Sequence, residues 1–518
     1  MMQKHLTILL LALLASAPTT AQVLTKRIVI VNGGQFGNPA EPTNVQLYNP
    51  ADSSYTQLDS LAANSAQDVL IDGPFAYVAA SQAIAKYDLT SGDLLATATF
   101  GGPSANRMAL SDDYLLVGNS FLFGPTNNNL QIFDRETLAL VDSVPALARP
   151  ADNLVVLGDT AYVTQNFTNQ NFADSAGFLV KVSLTTFEAV DTVQVNANGE
   201  DLGPLVLLDS VIYGLNGASN TLTTYNLRDG SVRTDSLGVD LQPGTYGARF
   251  TLDETGLLYT VIDGDIGTFD LVSRSVVQAS IVDTTVAGFV LDTVNERFYV
   301  TQTDFSPTFN QGIIFDADGT PLGSLEVGVT PEVVGAAYNR VPMAMSDSVV
   351  LDLTAFAEVD IPVLANDQDL DNRLGLSVEV ITPPLQGTLA NVNDSLVYAP
   401  LAGTFGLDSA QYAITDEWGD RDSAWVFIDV MQNTSIAGPS IRVLTLFPNP
   451  TTDQLTLRLA QPWRGEVTLL DLSGRRLMQR QVMSTTQLTW SLAELPVGTY
   501  LLRGQGESGN WTQRVIKR

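Results

Sequence analysis

Residues 68–100 read DVLIDGPFAYVAASQAIAKYDLTSGDLLATATF. Four short strand-like runs lie in this stretch. Asp68 to Ile71 comes first, and Tyr77-Val78 follows the turn Asp72-Gly73-Pro74. A third run ends at Tyr87-Asp88, and Leu94 to Phe100 completes the unit. Apolar, β-branched and aromatic residues fill the runs, and Gly, Pro, Asp and Ser punctuate them. Working outward, the aromatic-Asp/Asn ending recurs at Tyr48-Asn49, Phe133-Asp134, Tyr225-Asn226, Phe269-Asp270 and Phe315-Asp316, with a degenerate Val182-Ser183. Successive spacings are 39, 46, 49, 43, 44 and 46 residues. Four strands in about 45 residues is the period of a propeller blade, so seven copies predict a seven-bladed β-propeller. The first copy lacks a leading strand, and Val333 to Tyr338 is placed to supply it. Closing the ring that way removes the open edge that a flat array of hairpins would leave.

The chain has 518 residues, is 45% hydrophobic and 16% charged, and carries a formal net charge of −30. Such a surface repels nucleic acid and anionic membranes; it suits a soluble exposed protein or one that holds divalent cations. Residues 1–21 read as a secretory signal: Lys4 and His5, an apolar run from Leu6 to Ala15, and small residues Thr19-Thr20-Ala21 at a cleavage point. No later stretch is apolar enough over a sufficient length to span a bilayer as a helix. Cysteine is absent, which excludes disulfides, thiolate sites and a lipid-modified Cys, and the single histidine, His5, lies in the signal. A Ser-His-Asp triad, a His-liganded zinc and a His general base are thereby excluded from the mature chain.

Within a blade, loops joining second to third strands share a face with the loops joining successive blades. Four of the former are long here: Asn32 to Pro42, Asn119 to Asn129, Gln165 to Gly177 and Thr301 to Gly312. They carry Phe36, Phe121, Phe123, Phe167, Phe172, Phe305 and Phe309 among amides and hydroxyls. Rings in polar loops either seal the loop or bind something. Seven on one face point to a ligand surface for a glycan, a planar or amphipathic small molecule, or a macromolecule. Inter-blade loops add Asn64, Asn106, Arg107, Arg149, Asp152 and Tyr246. Arg107 and Arg149 either hold an anionic ligand group or pair with Asp152 and other acids. The repeat resembles the YVTN-type propellers of bacterial surface proteins over residues 25–340. Val29 to Tyr48, with Asn32-Gly33-Gly34, and Gln67-Asp68-Val69 also resemble surface propellers that capture cobalamin.

Residues 342–431 form a separate module. It carries Ile361-Pro362-Val363-Leu364-Ala365-Asn366-Asp367-Gln368-Asp369-Leu370-Asp371, then Tyr398-Ala399-Pro400 and Phe405-Gly406-Leu407-Asp408. This resembles the cadherin-like, immunoglobulin-type repeats of bacterial adhesins. Asp367, Asp369 and Asp371 alternate in a turn-like stretch and can aim hard oxygens at one Ca²⁺; the alternative is an Asx-rich turn with solvated carboxylates. The resemblance implies that Asn366 and Asp416 complete the shell. Residues 432–441 are a polar linker. The last segment, 442–518, contains Leu446-Phe447-Pro448-Asn449-Pro450, Asp471-Leu472-Ser473-Gly474-Arg475 and Leu495-Pro496-Val497-Gly498-Thr499-Tyr500, and ends Arg514-Val515-Ile516-Lys517-Arg518. Its runs Gln454–Leu459, Glu466–Leu472 and Thr499–Arg503 predict a small antiparallel sandwich with a basic tail. It resembles the type A sorting domain of the Bacteroidetes type IX secretion system. That resemblance implies export through that machinery, action of its sortase, and attachment at the cell surface or release.

The expected chain is therefore all-β: a signal peptide 1–21, a seven-bladed propeller 22–341, an Ig-type β-sandwich 342–431, and a sorting sandwich 442–518. The reading that follows is a non-enzymatic capture or adhesion protein. A propeller glycoside hydrolase or lyase built on a carboxylate pair stands beside it, as does a structural surface-layer role.

Overall fold

The structure, a computed structural model, describes residues 21–102, 104–119, 129–147, 149–168, 174–196, 202–216, 219–242, 250–253, 255–353, 356–371, 374–431, 443–471, 474–506 and 509–518. All but the last residue of the expected signal segment lies outside them. Leu24–Asn339 is one compact unit, and Arg340–Arg518 belongs to a second.

Among the described residues the first unit holds seven four-stranded antiparallel sheets. Residues 66–99 form one of them: Ala66–Asp72, Phe75–Ala80, Ala83–Asp88 and Leu94–Thr99, side by side in chain order. Its second strand is buried at every position, whereas the fourth alternates half-buried with exposed. That gradient follows from blades stacking face to face: inner strands are covered on both sides, outer strands are wetted. The interlayer between this blade and the next gathers Phe75, Tyr77, Phe100, Phe133 and Leu138. Each such side chain contributes roughly 1.5–3 kcal/mol by leaving water. Tyr77 adds a bond across the same interlayer, its hydroxyl donating to the Arg135 carbonyl at 3.1 Å.

The ring closes as the missing first strand required. Pro331–Arg340 pairs with Val23–Asn32, which pairs with Asn44–Asn49 and then Ser54–Gln57. Ile28, Ile30, Tyr48 and Val334 of this composite blade pack with Tyr299, Ile314 and Leu325 of the seventh.

The aromatic-Asp ending has a local cause. Asp88 Oδ1 accepts the N–H groups of Thr90 and Ser91 at 2.7 and 3.2 Å. Asp134 does the same for Glu136 and Thr137 at 3.2 and 2.7 Å, and Asp270 for Val272 and Ser273 at 2.8 and 2.9 Å. The carboxylates close the turn between third and fourth strands. Bonds from Thr137 hold Asp134, and bonds from Ser273 hold Asp270, below the ordinary carboxylate range.

Close approach between blades demands glycine at 118. A Cβ there would lie 2.0 Å from the Ala151 carbonyl oxygen, which belongs to the next inter-blade loop. Gly118→Ala is expected to destabilise the propeller by about 1–3 kcal/mol or more, because backbone must move to admit the methyl. Chemical denaturation of the two chains measures it, and an unchanged midpoint would refute the contact.

In the second unit, Asp347–Asp352 pairs in parallel with Arg421–Met431, which runs antiparallel to Gly406–Thr415, with Ser377–Thr382 at the edge. A second sheet of Val359–Ile361, Ser395–Pro400 and Gly387–Val392 faces it over Val349, Leu351, Tyr398, Tyr412, Ile414, Val426 and Ile428. This is the expected sandwich. The last domain is one five-stranded sheet folded into two layers. The two runs expected at 454–459 and 466–472 are a single strand, Gln454–Leu470, paired along most of its length with Arg476–Ser491. Register shifts between Arg458 and Gly465 mark the bend. Val443–Phe447 pairs with the half before the bend and Gly498–Gly506 with the half after it, and both halves bury side chains in one core with Trp463, Trp490 and Trp511. The expected basic tail is a core strand: in Gly509–Lys517, Val515 is fully buried, and the Lys517 ammonium donates to the Ala493 and Leu495 carbonyls at 2.9 and 2.6 Å.

Candidate functional site

The face predicted to carry loops is built by backbone bonds between the loops inside blades and the loops between them. Gly33 and Gly34 N–H donate to the Thr330 and Val329 carbonyls, Ser65 N–H to Gly33, and Ser81 N–H to Ser65. The chain continues through Ala105 N–H to Ser81 and Asn106 N–H to Gly118. Residues from blades seven, one, two and three thus share one rim.

On that rim lies a cavity of about 340 Å³ lined by Gly34, Phe36, Ser65, Phe305, Thr330 and Glu332. Two of the predicted rings meet here. Phe36 is 87% exposed and Phe305 55%, so neither folds back to seal its loop. Phe309, the third ring described, is also exposed. Phe305 sits at a φ of +62°, which a bulky residue adopts only when its surroundings impose it. The surroundings are a set of side-chain bonds: Thr303 Oγ accepts the Phe305 N–H at 2.9 Å and bonds Asn310 Oδ1 at 2.9 Å. Asn310 Oδ1 also accepts the Thr330 N–H at 2.8 Å, and Thr330 Oγ donates to the Gly34 carbonyl at 2.6 Å. The loop bearing Phe305 is therefore bonded, through Asn310 and Thr330, to the loop bearing Phe36.

Glu332, Thr330, Ser65 and Gly34 are absent from the sequence-predicted set. Glu332 had a readable signal: an acid heads the apolar closing run Val333–Tyr338, as Asp68 heads Val69–Ile71 and Asp152 stands near the head of Leu154–Leu157. Asp68 and Glu332 lie near the start of innermost strands, and Asp152 lies two residues before one. Asp68 is fully buried, and burial raises its pKa while Arg107 opposes that rise. Arg107 Nη1 stands 3.9 Å from Asp68 Oδ1 and donates to the Gln67 carbonyl at 3.3 Å. Asn106 is buried at the same rim. Arg149 and Asp152 are partly buried on the neighbouring inter-blade loop. Gln165 ties that loop down, its amide donating to the Arg149 and Pro150 carbonyls at 2.8 and 2.9 Å. Asn64 donates to the Glu41 carbonyl at 2.9 Å.

The long loop expected over 165–177 is in fact mostly ladder. Strands Thr160–Thr168 and Asp174–Ser183 pair from Gln165↔Phe178 to Thr168↔Asp174. Its polar residues read as loop because their amides serve neighbouring backbone rather than water. The loop after Thr301 is likewise shortened, to 304–309, by strands that extend to Thr303 and from Asn310. Phe121, Phe123, Phe172 and Tyr246 lie outside the described residues, and only the backbone of Phe167 is described.

The predicted calcium ligands fall into two groups. Asn366 and Asp367 face Asp347 and Tyr412: the Tyr412 hydroxyl lies 3.0 and 3.1 Å from the Asp367 carboxylate oxygens and 3.2 Å from Asp347 Oδ2, and Asp367 Oδ1 accepts the Met345 N–H at 2.6 Å. Burial first, then Asp367, pushes Asp347 up to about 8; burial pushes Asp367 up to about 7. Asp369, Asp371 and Asp416 form the second group. Asp371 accepts the Arg340 N–H at 2.9 Å, and Asp416 caps Trp418 and Asp420 at 2.9 and 2.8 Å. Burial, then Asp371, raises Asp369 to about 6. Among the described residues no set of three or more acids stands close enough to hold a metal as placed. Yet Asn366 Oδ1 is shielded from water without a hydrogen-bond donor, and the Asp369 carboxylate oxygens are shielded too, with Asp371 beside them. Such shielded oxygens are what a hard cation would satisfy, so the donor set fits Ca²⁺ in kind.

Residues 339–429 match the bacterial Ig domain family, and residues 445–518 match the secretion system C-terminal sorting domain. No curated protein matches the chain. Among solved structures it is similar to AztD from Citrobacter koseri (13% identity, covering 61% of this chain and 99% of that one, TM-score 0.41). It is also similar to a periplasmic gluconolactonase from Pseudomonas aeruginosa (15%, 61% and 99%, 0.42). A third is a quinonprotein alcohol dehydrogenase-like protein from Bacteroides thetaiotaomicron (14%, 59% and 77%, 0.44). The propeller assignment rests on the seven sheets themselves. No helix among the described residues is long and apolar enough to cross a membrane. With seven blades, an Ig domain and this C-terminal domain in one chain, the protein is a type IX secretion cargo, delivered to the cell surface or the extracellular space.

Proposed function

We propose that the chain is a non-enzymatic capture protein whose propeller rim binds a small ligand. The observation that carries this reading is the cavity between the loops of blades one and seven, where Phe36 and Phe305 stay exposed on a bonded, pre-ordered rim. Exposed rings cost free energy that a ligand recovers by covering them. The acids at blade turns favour this reading over hydrolysis, since Asp88, Asp134 and Asp270 are held as turn caps away from the cavity. The Ig domain would serve as a spacer, with Ca²⁺ held by Asn366, Asp367, Asp369, Asp371 and Asp416.

The test is a thermal-shift and calorimetric screen of the mature chain against glycans, cobalamins and small amphipathic cations and anions. A bound ligand is expected to lose at least tenfold in affinity in the Phe36→Ala, Phe305→Ala double variant, the order of one to two buried aromatic contacts. A ligand that binds both chains equally would move the site elsewhere. Turnover of any bound glycan would replace capture with hydrolysis.

A further inference from the structure

We propose that one end of the Ig domain is a lipid-contacting tip, whose Leu385, Leu401, Phe405 and Leu407 enter the surface of an uncharged, zwitterionic bilayer. The proposal goes beyond capture at the propeller rim and does not depend on it.

Four large apolar side chains stand in water at this end: Leu385 is 90% exposed, Leu407 76%, Phe405 56% and Leu401 53%. They come from two segments, 381–387 and 399–407, that hydrogen bonds hold together. Leu401 N–H donates to the Gln386 carbonyl at 2.8 Å. The Gln386 side-chain amide donates to the Leu407 carbonyl at 2.8 Å. Thr404 Oγ bonds the Leu401 and Gln386 carbonyls at 2.7 and 2.9 Å. Beneath them Asp408 pins both segments to the sandwich. Its buried carboxylate accepts the Leu385 and Ser409 N–H groups at Oδ1, 3.0 and 2.9 Å away. At Oδ2 it accepts the Gln386 N–H at 2.9 Å and the Tyr398 hydroxyl at 2.8 Å. Letting the apolar side chains fold back would break bonds to a buried carboxylate, so they stay presented to solvent.

Charge decides what covers them. Neither segment contains an Asp, Glu, Lys or Arg, in a chain with a formal net charge of −30. A charged partner finds nothing here to pair with. A second copy is disfavoured by area and by charge: a stable protein interface takes about 20–30 residues a side, and two such acidic chains repel. A lipid surface needs neither shape complementarity nor ion pairs, only apolar side chains carried past the headgroups. The neighbouring strand adds a ring at the right depth. Leu407 pairs with Asp429 and Ser409 with Phe427, so Phe427 shares the outward face of Leu407. It is 49% exposed and lies roughly 7 Å behind the tip, where aromatic rings settle among headgroups. Asp429, partly exposed beside Leu407, selects the headgroup class, because it repels anionic lipid and tolerates a zwitterionic one.

The experiment is flotation of the mature chain with vesicles of phosphatidylcholine, and with vesicles in which a third of the lipid is phosphatidylglycerol. The chain is expected to float with phosphatidylcholine equally at low and high salt, and less with phosphatidylglycerol. The Leu385→Ser, Leu407→Ser double variant should lower the partition coefficient by roughly tenfold or more, the order of two leucines withdrawn from an apolar phase. Its melting temperature should be unchanged, since both side chains are largely free of packing. The chain has no cysteine, so Leu385→Cys carries a single environment-sensitive fluorophore. Its emission should shift to the blue on phosphatidylcholine vesicles. The same label at Val392→Cys, at the far end of the hairpin that pairs Gly387 with Pro400 and Val392 with Ser395, should not shift. Flotation unaffected by the double variant overturns the proposal, because the contact then lies elsewhere. Flotation that grows with phosphatidylglycerol or vanishes in salt overturns it as an electrostatic effect. A dimer in sedimentation equilibrium that the double variant abolishes, without flotation, assigns the tip to a second copy and overturns it. Neither flotation nor self-association overturns it as well.

Discussion

Removing residues 442–518 is expected to abolish delivery of the protein beyond the outer membrane, leaving it in the periplasm. Fractionation followed by immunoblotting of periplasm, cell surface and medium measures this directly. An unchanged distribution would sink the role of this domain as an address. The structure sharpens the expectation, because the domain has one core to which all five strands contribute. Trp463 is completely buried at the bend of Gln454–Leu470, and its ring meets Trp511 at 5.7 Å between centroids. Trp463→Ala removes a large aromatic from that core, at a cost of about 3–5 kcal/mol. A domain of this size has little more stability than that in total. The single substitution is therefore expected to mislocalise the protein as fully as the deletion, if the secretion machinery reads the folded domain. If it reads only a short exposed segment, Trp463→Ala will be exported normally while the deletion is not. The two variants together separate recognition of shape from recognition of sequence.

The architecture was legible in the sequence because blades repeat. A Tyr-Asp ending means the same thing at residue 87 as Phe-Asp does at 269: an inward ring for the interlayer and a carboxylate that caps the next turn. Seven copies average out one degenerate instance, and the orphan run at 333–338 found its place because the first copy lacked a strand. The rim was less legible. Phe36 and Phe305 stood out as rings in polar loops, but Glu332 belongs to a strand, and its one signal is positional, an acid at the head of an innermost run as Asp68 is. Gln165 and Asn166 misled in the other direction. Their polarity suggested a loop, whereas they are buried at 3% and 6% exposure and bonded to neighbouring backbone. In the sorting domain, polar residues on the outward face of Arg476–Ser491 hid a strand of 16 residues. Alternation is easy to read when one face is strongly apolar; at an exposed hairpin the contrast is too weak.

The second large effect concerns acid in the Ig domain. Without divalent cation, stability is expected to fall as pH rises from about 4 to about 8. The reason is the pair Asp347 and Asp367, which share the Tyr412 hydroxyl: burial and then Asp367 push Asp347 up to about 8, and burial, with a smaller push from Asp422, raises Asp367 to about 7. Unfolded, both would ionise near 3.8. Between the unfolded and folded values the folded chain binds more protons, so each step up in pH favours the unfolded state. Below about 4 both states are protonated and the penalty vanishes; above about 8 both are ionised and the loss levels off. Spread over two coupled carboxyls, this amounts to several kcal/mol, or roughly 10–20 °C in the melting temperature of a domain of this size. Exposed acids with a lowered pKa, such as Asp134 and Asp270, act oppositely but only below the ordinary carboxylate range, outside this window. Calorimetry of the full chain in EDTA, following the transition lost in an Asp367→Asn variant's pH profile, tests the slope. A transition whose midpoint is flat from pH 5 to 8 would refute it. Calcium gives the complementary arm. If Ca²⁺ is held by Asn366 beside Asp367 and by Asp369, Asp371 and Asp416, it compensates the negative charge that deprotonation creates. Saturating Ca²⁺ should then restore the melting temperature at pH 8 while changing it little at pH 4, where the carboxyls are protonated and metal cannot compete. A calcium effect equal at both pH values would place the ion elsewhere. No effect at either would leave the motif as an Asx turn whose buried acids are stabilised by protons alone.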